Sequence, residues 1–206
     1  MRFGYQLPMN TDEGEALLKK VINSSDVDYL GNICRSLYLK GEFKLVTEIL
    51  LFVVQSGIKA GGVSLAFMIR RNEAKSENKL PTVEELLKKT LKEKNSFAVT
   101  NHVLYQIQST DQDEKWREGD QLIKTIEKPK DIRDWWYNNV NDAEKELVIG
   151  WLVRHGLIAD PDKLDFQERF NRARKGGWKV PDWMYLEPNK GDQALQAKSD
   201  KSTVSS

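Results

Sequence analysis

The chain has 206 residues, 31% of them charged and 39% hydrophobic, the balance of a folded protein with a sizeable core and well-solvated outer faces. Thirty-two basic side chains against thirty-one acidic ones leave a formal charge of +1, so neither a net basic excess nor a basic stripe points to a nucleic-acid partner. The single cysteine excludes an intramolecular disulfide, and the longest apolar run, Ile49 to Val54, is far shorter than the roughly 20 residues a membrane helix needs.

At the N-terminus, Pro8 with Asp12, Glu13 and Glu15 interrupts anything resembling the apolar core of a secretory signal, which predicts a cytoplasmic protein. Asn10 and Glu13 have the spacing of a capping box, and Leu17, Leu18, Val21 and Ile22 form the stripe of a first helix that Asn23-Ser24-Ser25 ends. From Asp28, the residues Leu30, Ile33, Cys34, Leu37 and Tyr38 recur at i, i+3, i+4 spacing until Gly41, which can adopt the left-handed conformation that closes a helix. Cys34 lies on that apolar face, so it is expected as a buried, reduced thiol. The next helix carries Leu45, Val46, Ile49, Leu50, Phe52 and Val53, is apolar on nearly all sides and stops at Gly57. Such a helix predicts neighbours on several faces, with Ile49 and Phe52 fully buried.

Residues Asn32 to Phe43, NICRSLYLKGEF, resemble the first helix and turn of a tetratricopeptide repeat. Ile33 stands at the family's leucine, Cys34 at its small packing position, Tyr38 at its aromatic, and Gly41-Glu42-Phe43 at its turn. Val46, Val53 and Ile58 depart from the alanines and proline that the family favours. The match covers about one repeat, around 34 residues. It implies an all-α fold of stacked antiparallel helical hairpins, an α-solenoid or tetratricopeptide-like array, and a protein that binds another protein.

A second hairpin is expected from Lys59, with Val63, Ala66, Phe67 and Ile69 on its stripe and a loop over Asn72 to Leu80 before the partner helix. That helix begins at a second capping box, Thr82 with Glu85, and carries Leu86, Leu87 and Leu91; Lys88, Lys89 and Lys92 to Lys94 form its solvated face. A third hairpin runs from Ser96 to about Ile126, with Phe97, Val103, Leu104 and Ile107 facing Trp116, Leu122, Ile123 and Ile126. Starts near Asp28, Lys59 and Ser96 give a period in the thirties. Past Pro129 the character changes, because all six tryptophans lie between Trp116 and Trp183. Ile132, Trp135, Trp136 and Tyr137 precede a turn at Asn138-Asn139. Asn141 with Glu144 reads as a third capping box, ahead of Leu147, Val148, Trp151 and Leu152. Asp160-Pro161 reads as the start of a last helix bearing Leu164, Phe166, Phe170 and Ala173, ended by Gly176-Gly177. The organisation expected is one helical-repeat domain over residues 1–187, of about nine to eleven helices. Repeat-like hairpins fill 28–126, a tryptophan-rich cap fills 129–187, and the polar residues 188–206 form a disordered tail.

Chemistry leaves little trace. His102 and His155 have no carboxylate or cysteine at metal-ligand spacing and read as structural. Asp111, Asp113 and Glu114, like Asp142, Glu144 and Glu146, read as favourably charged helix N-termini and lack the Gly and closing Glu of a cation loop. Gly61-Gly62 and Gly176-Gly177 lack the context of a phosphate loop. No catalytic, metal or cofactor residue is therefore predicted. The aromatic groups remain: adjacent rings in Trp135-Trp136-Tyr137 point about 100° apart around a helix, so not all can face inward. Trp178, Trp183 and Tyr185 lie in a non-periodic, proline-containing segment that either caps the helical stack or anchors a partner. These six rings are the candidate contacts of a non-enzymatic protein that binds another protein, as an adaptor or as a small cytosolic protein neutralising a toxin or effector. The competing reading is an enzyme whose carboxylates converge from separate helices.

Overall fold

The computed structural model describes residues 27–109 and 113–188. The expected first helix around Leu17 to Ile22, its capping box at Asn10 and the tail past Pro188 lie outside the described residues. Among those described are nine α-helices, one 3₁₀ helix and no β-strand, so the all-helical class stands. The chain divides between Leu86 and Leu87 into two units.

In the first unit, α1 (Val27–Leu39), α2 (Phe43–Gln55) and α3 (Lys59–Arg70) follow one another, with α2 packed on both neighbours. Gly41 and Gly57 end α1 and α2 with φ of 78° and 82°. At each, the following N–H reaches back five residues, Glu42 to the Leu37 carbonyl at 3.1 Å and Ile58 to that of Val53 at 3.2 Å, which satisfies last-turn carbonyls. Val46, Thr47, Ile49, Leu50 and Val53 are the buried residues of α2. Phe52, expected to be fully buried, is only half-buried, as are Leu51 and Val54. Two packed neighbours cover one arc of a helix and leave the opposite arc part-open, so an all-apolar sequence does not guarantee burial all round. Cys34 is buried as a free thiol, and burial pushes it up to about 11. Tyr38 packs its ring on Phe43 and Phe67, and its hydroxyl donates to Glu73 at 2.8 Å, tying the loop after α3 to α1. The capping box at α4 (Val83–Lys92) forms as read: the Thr82 N–H donates to Glu85 Oε2 at 2.8 Å and the Glu85 N–H to Thr82 Oγ1 at 3.2 Å.

The second unit holds the rest of α4, then α5 (Ser96–Ser109), α6 (Asp113–Ile123), α7 (Pro129–Asn139), α8 (Ala143–Arg154), α9 (Phe166–Lys175) and a 3₁₀ turn (Asp182–Tyr185). Helix α8 is its centre and packs on α6, α7 and α9, while α5 packs on α6 and α7. Leu147, Ile149, Trp151 and Leu152 of α8 are essentially inaccessible, and Trp116 stacks on Trp151 with ring centroids 5.4 Å apart. Two expected helix starts move. The cap of α8 is Asp142, whose side chain accepts from the Glu144 N–H at 2.9 Å; Glu144 itself turns inward, so Asn141 and Glu144 do not form a capping box. The last helix begins not at Asp160-Pro161 but at Phe166, where the Asp165 side chain accepts from the Glu168 N–H at 2.7 Å, and Asp160 lies in the preceding loop bonded to buried Arg169.

Candidate partner-binding surface and two buried charge clusters

Of the six rings singled out by the sequence, Trp136 is fully buried, and this overturns it as a partner contact. It lies one turn beyond Ile132 on the inward face of α7, stacks on Phe97 at 6.2 Å, and donates its Nε1–H to Glu144 Oε1 at 3.0 Å. A neutral indole donor beside that buried carboxylate explains why Glu144 points inward rather than to its helix terminus. Trp135 is half-buried against Phe97 and Trp136, with centroids 6.2 and 4.8 Å away. Tyr137 is exposed; its hydroxyl donates to Asp162 Oδ1 at 2.7 Å, which holds its pKa above the usual phenol value.

Trp178, Trp183 and Tyr185 are each half-buried, and all three belong to one strap, residues 178–188, that begins after Gly177 at φ 101°. Val180 and Met184 plug the strap into the core. Arginines from three helices fix the remainder. From α9, Arg174 donates to the Val180 carbonyl and, at 2.7 Å, to Asp182, and its guanidinium lies 4.8 Å from the centre of the Tyr185 ring. From α8, Arg154 donates its Nε–H to the carbonyls of Met184 and Leu186 at 3.0 and 3.3 Å. From α6, Arg117 lies 4.7 Å from the centre of the Trp183 ring, and the indole N–H donates to Asp113 at 2.5 Å. Leu186, between these fastenings, is 66% exposed.

Arg154 is itself held by a buried carboxylate. Asp120 Oδ1 accepts from Trp151 Nε1 at 2.8 Å and Arg154 Nη1 at 2.7 Å, and lies 2.7 Å from His155 Nε2, while Lys124 stands 3.9 Å from Oδ2. Burial alone would raise the Asp120 pKa, but the hydrogen bonds from His155 and Trp151 and the charge of Arg154 hold it below the ordinary carboxylate value. His155 thus has a carboxylate neighbour that its own stretch of sequence does not contain, 35 residues away.

Carboxylates from separate elements do converge, but on a cation. Arg169, fully buried on α9, donates Nε and Nη2 to the two oxygens of Asp160 at 2.7 and 2.9 Å, Nη1 to Glu146 at 2.7 Å, and Nη2 to Asp162 at 2.7 Å. The fork geometry saturates the guanidinium, and each carboxylate is engaged in a charge-assisted bond rather than left free for proton transfer. Asp160 also accepts from the N–H groups of Asp162 and Leu164, and with Arg169 these bonds hold its pKa low despite burial. Among the described residues no group of three or more His, Cys, Asp or Glu is arranged to hold a metal ion, and no helix is long and apolar enough to cross a membrane.

Sequence could have flagged both clusters. Arg169 falls at i, i+3, i+4, i+7 spacing with Phe166, Phe170 and Ala173, and Asp120 falls between Trp116 and Ile123 on the stripe of α6. A charge inside an apolar stripe has to be paired in space. Comparisons with family models, with curated proteins and with solved structures find no match to this chain.

Proposed function

We propose that the chain is a non-enzymatic helical protein that binds another protein, with the strap edge at Trp178, Trp183 and Leu186 as its recognition surface. The observation that carries this is Leu186, a large apolar side chain two-thirds in water on a backbone that Arg154 fastens on both sides. An apolar anchor whose backbone is already fixed loses little conformational freedom on association, which is where affinity is gained. Tryptophan beside arginine is also the composition of interface hot spots. The resemblance of Asn32 to Phe43 to tetratricopeptide repeats points to the same class of activity. The test is co-purification from the native cell followed by Leu186→Asp. The expected result is a partner weakened by about 2 kcal/mol or more with an unchanged thermal midpoint, because Leu186 contributes little to the core. Equal capture by wild type and Leu186→Asp would remove the strap edge as the recognition surface.

A further inference from the structure

The strap hangs from a single glycine. The Gly177 N–H donates to the Arg174 carbonyl and the Trp178 N–H to that of Ala173, both at 3.1 Å, and so close α9. Gly177 takes the left-handed conformation that turns the chain back over this helix, and a Cβ added there would meet nothing within 4 Å. Gly176, where an added Cβ would stand 2.1 Å from Ala143 Cβ, is packed against α8 and stays with the helix, which leaves Gly177 as the hinge. Beyond the hinge the strap is held from α6, α8 and α9. Besides the arginine contacts, Gln167 donates to the Tyr185 carbonyl at 3.4 Å, and Phe170 meets the Tyr185 ring edge to face at 5.9 Å.

We propose that the strap is exchangeable, and that the groove it fills takes the strap of a second copy of this chain, giving a dimer closed by two reciprocal straps. The receiving surface selects its occupant by the side chains it meets. Val180 and Met184 are seated in the core, Asp182 meets Arg174, and Trp183 meets Asp113 and Arg117, a set that a second copy supplies in full. Exchange trades each contact for an identical one, so its cost is confined to the hinge and to bringing two chains together. Residues 178–188 extend to roughly 36–40 Å at most, enough to cross to a copy lying alongside. The inference does not rest on what binds at Leu186, because exchange carries that side chain to the same setting on the second copy.

The test mixes two full-length variants, Arg174→Asp and Asp182→Arg, in urea and refolds them together for sedimentation velocity. Each variant alone sets like charges across the seam between α9 and the strap, and exchange between identical copies keeps them there. Reciprocal exchange between the two variants restores opposite charges at both seams, so the mixture is expected to hold about fivefold more dimer than either component at equal concentration. In the otherwise unaltered chain, Gly177→Ala is expected to raise the dimer association constant about tenfold, because a side chain disfavours the left-handed hinge that keeps the strap at home. Gly57→Ala is the control: it has the same handedness, φ 82°, and the same open space at the end of α2, with no strap to release, and leaves the constant unchanged. A mixture no more dimeric than its components overturns the exchange. So does a Gly177→Ala chain as monomeric as wild type, or an equal rise in Gly57→Ala.

Discussion

Arg169 is one buried cation met by three carboxylates, whereas Asp120 is one buried carboxylate met by an indole, a guanidinium and an imidazole. Both meet the same requirement, since a charge leaves water only when its hydrogen-bonding capacity is filled. They differ in reach. The partners of Arg169 lie 7 to 23 residues before it, on α8 and the loop joining α8 to α9, so its cluster closes a single helix pair. Those of Asp120 lie 31 to 35 residues after it, and one of them, Arg154, passes the connection on to the strap. The first cluster braces the unit, and the second relays between its core and its candidate recognition edge.

Breaking the brace should cost most. Arg169→Met removes the cation that Glu146 and the buried Asp160 share, while Asp162 keeps the Tyr137 hydroxyl and the charge of Lys145, and about 3–5 kcal/mol is expected to be lost in urea unfolding near neutral pH. The pH dependence gives the sign. Asp160 titrates lower in the fold than in the unfolded chain, so its contribution is present above the unfolded value of about 3.9 and is lost as pH falls through the lower folded value. Without Arg169 that contribution shrinks to what the Asp162 and Leu164 N–H bonds sustain, and the gap between variant and wild type should narrow as pH falls into this range. A gap independent of pH would mean that the loss comes from packing alone.

Asp120→Asn should cost less, about 2–3 kcal/mol, because the amide oxygen still accepts one bond while Arg154 loses its counter-charge. Hydrogen exchange should then accelerate first at Met184 to Leu186. Unchanged protection there would separate Asp120 from the strap.

The smallest effects sharpen the comparison, since a glycine sits beside each cluster. A Cβ at Gly150 would stand 2.8 Å from Arg169 Cβ and 3.0 Å from the Phe170 ring, and one at Gly119 would stand 2.7 Å from Val103 Cγ1. Gly150→Ala and Gly119→Ala are each expected to lower stability by about 1–3 kcal/mol, with Gly150→Ala the larger. At Gly150 the neighbour that must give way is tied to three carboxylates, and at Gly119 it is an aliphatic methyl. Thermal denaturation of the two variants side by side decides the order.

Local rules carried the reading of this chain far. Gly41 and Gly57 as left-handed terminators, Thr82 with Glu85 as a reciprocal cap, and the stripes of α3, α5 and α6 all follow from spacings of three and four residues. The clusters escape such rules because pairing across 7 to 35 residues, through a loop or between helices, leaves no periodic trace, and a charged residue in an amphipathic helix is read as solvated by default. Glu144 misled for a related reason. Its spacing from Asn141 matched a cap, but the buried Trp136 indole, eight residues earlier, claimed its side chain. Trp136 stands among the candidate contacts because adjacency on a helix says that neighbouring rings diverge, not which one goes inside.

The strap also orders events in time. Trp183 bonds to Asp113 across 70 residues of sequence, and Arg154 finds its carbonyl partners 30 and 32 residues later. A chain made from its N-terminus presents α6, with Asp120 in its stripe, well before Trp151, Arg154 and His155 exist to receive it. Until they emerge, Asp120 keeps its water, and the core under Val180 and Met184 stays open until the strap leaves the ribosome. The second unit is therefore sealed late, by contacts of long sequence separation that accrue their loop-closure cost before they return any stability.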